Sequence, residues 1–347
     1  MKNIFLAMQK LLKESGEAQL LVTRFSKDNQ GLVSELSRSF EKNKYLKEEE
    51  TRNILLSGVP KIILKEEYNY FAEPYYNQER LVIYGGGHIA LPLVKLGKML
   101  GFYVIVIDDR LQYANQERFL EADMVVCDNF EKGIWTIKPV KSDYHVIITR
   151  GHKHDCVCLK ELLTYKESVY TGLIGSKKRT AIVINNLVEE GYDRDRLMRI
   201  CTPIGLPIGS VTIEEIAISI IAQVIQRKRL GEDEQMAINR GDGDDSVIEQ
   251  LVSSSRPCCL VTIMKTSGSV PRKAGAKMLV FDDTSIMGSI GGGCVEADAI
   301  KKAFGMIGSG TYEVMNVSLD DDIALEDGMV CGGNLQLFLE DISGDIF

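Results

Sequence analysis

Gly85, Gly87 and Ala90 stand in the spacing G-x-G-x-x-A, directly after the apolar run RLVIY and at the start of the helix-like run HIALPLVKLGKMLG. Glycine at the first position permits a tight turn, glycine at the second lets the backbone approach a pyrophosphate, and a small third residue lets helix and strand pack closely. The helix N-terminus adds a field that favours an anion. Asp108 ends the next apolar run, FYVIVIDD, about 20 residues further on, where a carboxylate could accept a ribose hydroxyl. The same turn can cradle any phosphate, so the spacing points to an anion-binding turn without selecting NAD(P). Glycines serving only strand-to-helix packing are the other reading. His88 is placed in the first turn of that helix, facing the same crevice, where the dipole favours a neutral imidazole over a cation; a capping histidine is the plainer alternative.

Sheets wound this way bind ligands beyond the carboxyl ends of their strands, so later loops should converge on Gly85–His88. One is TRGHKHD, Thr149–Asp155, a loop with a helix after it. His152, His154 and Asp155 could form a metal site, an acid–base pair or a ligand clamp, and the want of a third ligand favours the clamp. Another is GLIGSKKR, where Gly175, Ser176, Lys177, Lys178 and Arg179 open a helix. Cations there oppose the helix dipole, an arrangement that makes sense around a bound phosphate; without a ligand the run is simply a soluble first turn. In CTPIGLPIGSVTIEE, Thr212 and Glu215 have capping-box spacing. Near the end of the chain Cys294 follows a glycine-rich turn that includes Gly292 and Gly293 and begins a helix, a position that favours thiolate. Cys331 sits in the turn V-C-G-G, and Ser269, Arg272 and Lys277 lie in TSGSVPRKAGAKM, where paired donors could hold an anion or a solvated loop could run.

The elements that position these residues fall into four stretches. Residues 1–76 carry helical periodicity in LVSELSRSFEKNKYL and two strand-like runs, QLLVTRF and VPKIILKEE, after an opening that reads as an amphipathic helix running into a strand. Residues 77–230 alternate near-continuous apolar strands with helices, the mark of a parallel sheet covered on both faces. Residues 231–245 are acidic and glycine-containing and read as a linker. Residues 246–347 read as a smaller mixed α+β domain. The predicted fold class is therefore α/β, a Rossmann-like parallel sheet domain plus that smaller domain. A net charge of −8 argues against a nucleic-acid surface. No apolar run is long enough to span a membrane and the N-terminus has no signal-peptide pattern, so a cytoplasmic protein with its eight cysteines reduced is expected. Cys156, Cys158, Cys258 and Cys259 are expected as small packing residues.

GGGHIA with DDR at 108–110, TRGHKHD, YTGLIGSKKR and PIGLPIGSVTIEEIAISIIAQVI together resemble the C-terminal domain of the XdhC/CoxI family of xanthine dehydrogenase accessory factors. TSGSVPRKAGAKML, GSIGGGCVEADAI and MVCGGNLQLFLE resemble the other domain of that family, and the resemblance covers about three quarters of the chain. It implies a chaperone that binds molybdenum cofactor (molybdopterin) and assists insertion of its sulfurated form into a molybdenum hydroxylase such as xanthine dehydrogenase. A cysteine desulfurase would be a second partner and a homodimer the expected state. Cys294 and Cys331 match cysteines of the family motif, and soft thiolates suit molybdenum or sulfur; two buried packing cysteines are the alternative. Here the Rossmann part precedes the small domain, and residues 1–76 resemble a degenerate small-domain copy placed in front. The resemblance implies an accessory protein rather than an enzyme; the competing reading is an NAD(P)-dependent oxidoreductase using the Rossmann crevice.

Overall fold

The computed structural model describes residues 2–15, 18–40, 44–230, 245–318 and 333–343. The expected linker, but for its last residue, lies outside the described residues, as does Cys331. The chain divides into two compact units, Gln78–Ala237 and a second assembled from both ends, Met1–Asn77 with Ile238–Phe347.

The N-terminal stretch runs α1 (Lys2–Ser15), β1 (Gln19–Lys27), β2 (Val33–Ser39), α2 (Glu48–Ser57), β3 (Lys61–Leu64) and β4 (Asn69–Tyr75). Phe5, Met8 and Leu12 repeat at helical spacing and are buried, which fixes the inner face of α1. The helical reading of LVSELSRS does not hold. Asp28 accepts the amides of Gln30 and Leu32 at 2.8 and 3.0 Å, and Gly31 takes a left-handed φ of 92°. That turn folds the chain back, so β2 pairs antiparallel with β1 from Val22↔Ser39 to Lys27↔Val33. Apolar residues three and four apart fit either element over so short a run, and cross-strand pairing decides.

The central unit continues with β5 (Arg80–Tyr84), α3 (Ala90–Met99), β6 (Tyr103–Asp108), β7 (Met124–Cys127), α4 (Phe130–Ile137), β8 (Asp143–Ile147), α5 (His152–Thr164), β9 (Tyr170–Leu173), α6 (Lys177–Glu189), α7 (Arg194–Met198) and α8 (Ile213–Leu230). Its five strands are parallel in the order β7-β6-β5-β8-β9. Alternate side chains feed two cores. Leu81 and Ile83 face α3 and α8, while Val82 and Tyr84 face α4, α5 and α6. This is the doubly wound Rossmann architecture, whose order reverses between β5 and β8. Two helix starts differ from expectation: α3 begins at Ala90, leaving His88 in the preceding turn, and α5 begins at His152, so TRGHKHD is only partly a loop. Gly151 stands in extended conformation as the residue before α5 and its carbonyl accepts the amides of His154 and Asp155, so the helix is already under way at His152.

The last stretch holds α9 (Asp245–Ser253), β10 (Cys258–Gly268), β11 (Lys277–Phe281), β12 (Ile286–Gly288), α10 (Gly293–Met306), β13 (Tyr312–Ser318) and β14 (Gly333–Asp341). Its antiparallel sheet, ordered β12-β11-β10-β14-β13, packs one face on α10. The N-terminal sheet, β2-β1-β4-β3, packs one face on α2 through Leu20, Val22 and Ile54. Cys158, Cys258 and Cys259 are buried and Cys156 is half-buried; burial raises the thiols of Cys158 and Cys259 far above the ordinary cysteine range. Among the described residues no helix is long and apolar enough to cross a membrane.

Candidate functional site at the carboxyl edge of the parallel sheet

The turn after β5 is built from three glycines with different surroundings. Gly85 has a φ of 111°, and a Cβ there would lie 2.6 Å from the Ile148 carbonyl oxygen. A Cβ on Gly86 would come within 1.9 Å of the Tyr113 carbonyl oxygen. Around Gly87 nothing lies within 4 Å of that position. The first two glycines are thus demanded by the protein's own backbone, and only the third borders open space.

Asp108 lies beneath this turn rather than in the crevice. It is 1% exposed; Oδ2 accepts the Gly86 amide at 2.8 Å, and Oδ1 accepts the amide and Nε of Arg110 at 3.1 and 2.8 Å. Both oxygens are therefore occupied by the chain itself. Its neighbour Asp109 forms a two-point pair with Arg150, one contact being Nη2 to Oδ2 at 2.8 Å. The hydrogen bond from Arg150 holds the Asp109 carboxyl down at about 2. Because β6 and β8 flank β5, this pair ties the loops on either side of the glycine turn. Arg118 donates from Nε to the Gly86 carbonyl at 3.2 Å, while its Nη2 is buried without a hydrogen-bond partner among the described residues. Gly86, Asp109, Arg118 and Arg150 escaped sequence reasoning. A third consecutive glycine was the visible signal for Gly86, and the motifs DDR and TRGHKHD enclose Asp109 and Arg150; Arg118 carries none.

The loops after β8 and β9 meet each other, and the first of them also lies against Gly85 through Ile148 and Thr149. Thr149 Oγ1 donates to Asp155 Oδ1 at 2.5 Å, and Arg179 donates to Asp155 Oδ2 at 3.3 Å and to His152 Nδ1 at 3.0 Å. Burial raises the Asp155 carboxyl, against the pull of Thr149 and Arg179. With Nδ1 accepting, a neutral His152 carries its proton on Nε2. His154 points elsewhere, its ring edge-on to Phe130 at 5.4 Å, because two residues on a helix are far apart in azimuth. Among the described residues no group of three or more His, Cys, Asp or Glu could hold a metal ion. Ser176 caps α6 by accepting the Arg179 amide at 3.3 Å. Lys177 and Lys178 are exposed in a first turn that holds no acidic residue, and Gly175 has a φ of 149°. Arg179 is engaged by His152 and Asp155, whereas the two lysines face solvent. His88 is exposed beside the open Gly87 position.

In the other unit, Gly291, Gly292 and Gly293 all have positive φ. Glu296 accepts the Ser289 hydroxyl at 2.6 Å and the amides of Ile290 and Gly292 at 2.9 and 3.1 Å, so the turn already holds a carboxylate of its own helix. A Cβ on Gly291 would meet Pro271 at 3.3 Å, which brings the loop bearing Ser269 and Arg272 against the glycine turn. Ser269 is exposed and Arg272 half-buried. Lys277, expected to join them, is instead 3% exposed and donates to Glu73 at 2.5 Å and Thr262 at 3.1 Å. It alternates with its neighbours along β11 onto the face away from α10. Cys294 lies in the first turn of α10, as expected.

Comparison with known proteins follows this division. The XdhC Rossmann domain model matches residues 81–224, and the XdhC and CoxI family model matches residues 251–318. A Bacillus subtilis (strain 168) protein named as a probable xanthine dehydrogenase subunit is 31% identical over 163 residues, 47% of this chain and 47% of its own length. The molybdenum cofactor insertion chaperone PaoD of Escherichia coli (strain K12) is 34% identical over 93 residues, 26% of this chain and 28% of its own. The chain therefore spans about half the length, or less, of these curated relatives. A crystal structure described as a xanthine dehydrogenase from Bacillus halodurans matches with a TM-score of 0.50 and 29% identity, covering 65% of this chain and 64% of that one. Both domain models match in the order in which the motifs occur, on the strands and glycine turns described above, and the chain belongs to the XdhC and CoxI family.

Proposed function

We propose that the protein is an accessory protein that binds molybdenum cofactor and passes it to a xanthine dehydrogenase-type molybdenum hydroxylase. The observation that carries this reading is the open position at Gly87, at the point where the strand order reverses, with the cation-bearing start of α6 at the same sheet edge. The cofactor is a pterin ending in a phosphate. The backbone at Gly87, the His88 side chain and the first turn of α6 with Gly175, Ser176, Lys177 and Lys178 would hold that phosphate. His152 and Asp155, fixed by Arg179, would shape the neighbouring wall. The names of the matched relatives support the same direction. When bound, the cofactor would supply the molybdenum chemistry of the client, and the chain's own residues would hold and shield it.

The finer reading is that the cofactor is handled in its sulfurated form with a cysteine desulfurase as second partner. It rests on the family resemblance and on Cys294 at the start of α10. Faster alkylation of Cys294 than of Cys158 at neutral pH, slowed by cofactor, is the expected result, and equal rates would remove the thiolate role.

The main test is anaerobic purification of the full chain, followed by oxidation and fluorescence detection of pterin derivatives. Pterin retained by the native protein and lost from Gly87→Val is the expected result. Tight NAD(P) binding with hydride transfer and no pterin would support the oxidoreductase reading instead. That reading has the strand order in its favour, but Asp108 has both oxygens committed and offers no acceptor to a ribose.

A further inference from the structure

The two ends of the chain build one topology twice. The series α1-β1-β2-α2-β3-β4 repeats as α9-β10-β11-α10-β13-β14, with β12 added at an edge, and the sheets read β2-β1-β4-β3 and β11-β10-β14-β13. Their registers correspond as well. Leu21-Val22-Thr23 in β1 and Leu260-Val261-Thr262 in β10 are identical in type. Thr23 lies opposite Arg38 and Phe71, and Thr262 lies opposite Lys277 and Phe338. Leu21 faces Glu73, and Leu260 faces Glu340.

The charges on these equivalent positions are exchanged between the copies. Arg38 donates to Thr23 of its own copy at 3.0 Å and pairs with Glu340 of the other. Lys277 donates to Thr262 of its own copy at 3.1 Å and to Glu73 of the other at 2.5 Å. All four side chains are 7% exposed or less. Around them Phe25 stacks on Phe338 with ring centres 5.6 Å apart, and the reciprocal residues Phe71 and Met264 share the same buried cluster. Contact of residue i with j, answered by the equivalent of j with the equivalent of i, is the signature of an isologous twofold interface.

The copies differ where ligand chemistry would sit. α10 opens within the run of positive-φ glycines 291–293 and carries Cys294, whereas α2 opens with Glu48, Glu49 and Glu50 behind Lys47.

We propose that the N-terminal copy is an internal partner, supplying to the C-terminal small domain the twofold face that a second copy of that domain would otherwise supply. Both copies make the pairing contacts, and one of them carries the glycine turn with its cysteine. Two charged pairs buried in this way cost desolvation and specify register, since a slipped or wrong partner leaves four unpaired charges inside. This inference does not rest on the cofactor reading and stands or falls separately.

Leu32 and Glu313 form an isolated antiparallel bridge across the two copies, with the Val314 amide on the Gly31 carbonyl at 2.8 Å. Leu32 is 45% exposed, so the site tolerates substitution. The full-length double variant Leu32→Cys/Glu313→Cys is oxidised mildly, digested and read by peptide mass spectrometry beside a non-reducing gel. A link within one chain, at single-chain mobility, is expected. A link between two chains would mean that a second molecule fills the face, and no link would mean that the copies do not meet in this register; either overturns the proposal. As a second readout, Arg38→Glu and Lys277→Glu should each lower the urea midpoint. Adding Glu340→Arg and Glu73→Lys respectively should recover at least half of each loss. Losses that simply add in both double variants would overturn the reciprocal contact.

Discussion

Three adjacent glycines illustrate how residues of one type take different duties. Gly86 is packed against the Tyr113 carbonyl and Gly85 combines a positive φ with the Ile148 carbonyl, so a side chain at either meets backbone that cannot step aside. Gly86→Ala and Gly85→Val are expected to lower stability by about 2–4 kcal/mol, whatever ligand is present. Gly87→Val should change stability by less than about 1 kcal/mol while removing ligand retention, because its side chain enters the open space. Urea unfolding and pterin content, measured on the same preparations, check both halves. The G-x-G-x-x-A pattern singled out Gly85 and Gly87 together; their difference lies in what packs against them, and the spacing carries no record of that. The same holds for Asp108, whose position at the end of β6 was legible but whose oxygens are turned beneath the glycine turn by Arg110 and the Gly86 amide.

At the scale of elements, α6 and β8 each lead to a measurable outcome. In the first turn of α6, Lys177 and Lys178 are solvent-facing, while Arg179 reaches back to α5. Lys177→Gln with Lys178→Gln should therefore weaken retention of an anionic ligand most at low salt and leave the fold intact. Arg179→Gln should lower stability by about 1–3 kcal/mol, since it strips the buried Asp155 of a charged partner. Titrating salt against binding, with unfolding midpoints alongside, separates the two. In β8, His145 is fully buried between the Tyr84 hydroxyl at 3.0 Å and Ser168 at 2.9 Å, and burial pushes its pKa down to about 4, partly offset by Asp143. The unfolded chain takes up that proton below about pH 6.5 and the folded one only near pH 4, so this stability is present above the window and lost as pH falls through it. Roughly 3 kcal/mol is at stake. Unfolding midpoints should fall across that window in the native protein, and the slope should flatten in His145→Asn; an unchanged slope would show that another group controls it.

On the scale of the whole molecule, two units with separate cores predict two calorimetric transitions. Gly86→Ala should lower one of them and Arg38→Glu the other, and a single transition moved by both would count against independent units. From sequence alone the parallel sheet, its glycine turn, the start of α6 and the start of α10 could be read. Each follows from local rules: apolar runs bounded by glycines, capping residues, and side-chain periodicity along one element. Residues 32–39 were misread because eight residues with apolar positions three and four apart satisfy strand and helix alike, until β1 lies beside them. What only the tertiary structure decided are the contacts made between distant segments. Arg150 meets Asp109 across 41 residues, Lys277 meets Glu73 across 204, and Arg38 meets Glu340 across 302. Local sequence sets backbone periodicity and which side chains seek burial; which buried cation finds which carboxylate depends on how finished sheets pack, and no spacing in the chain encodes it.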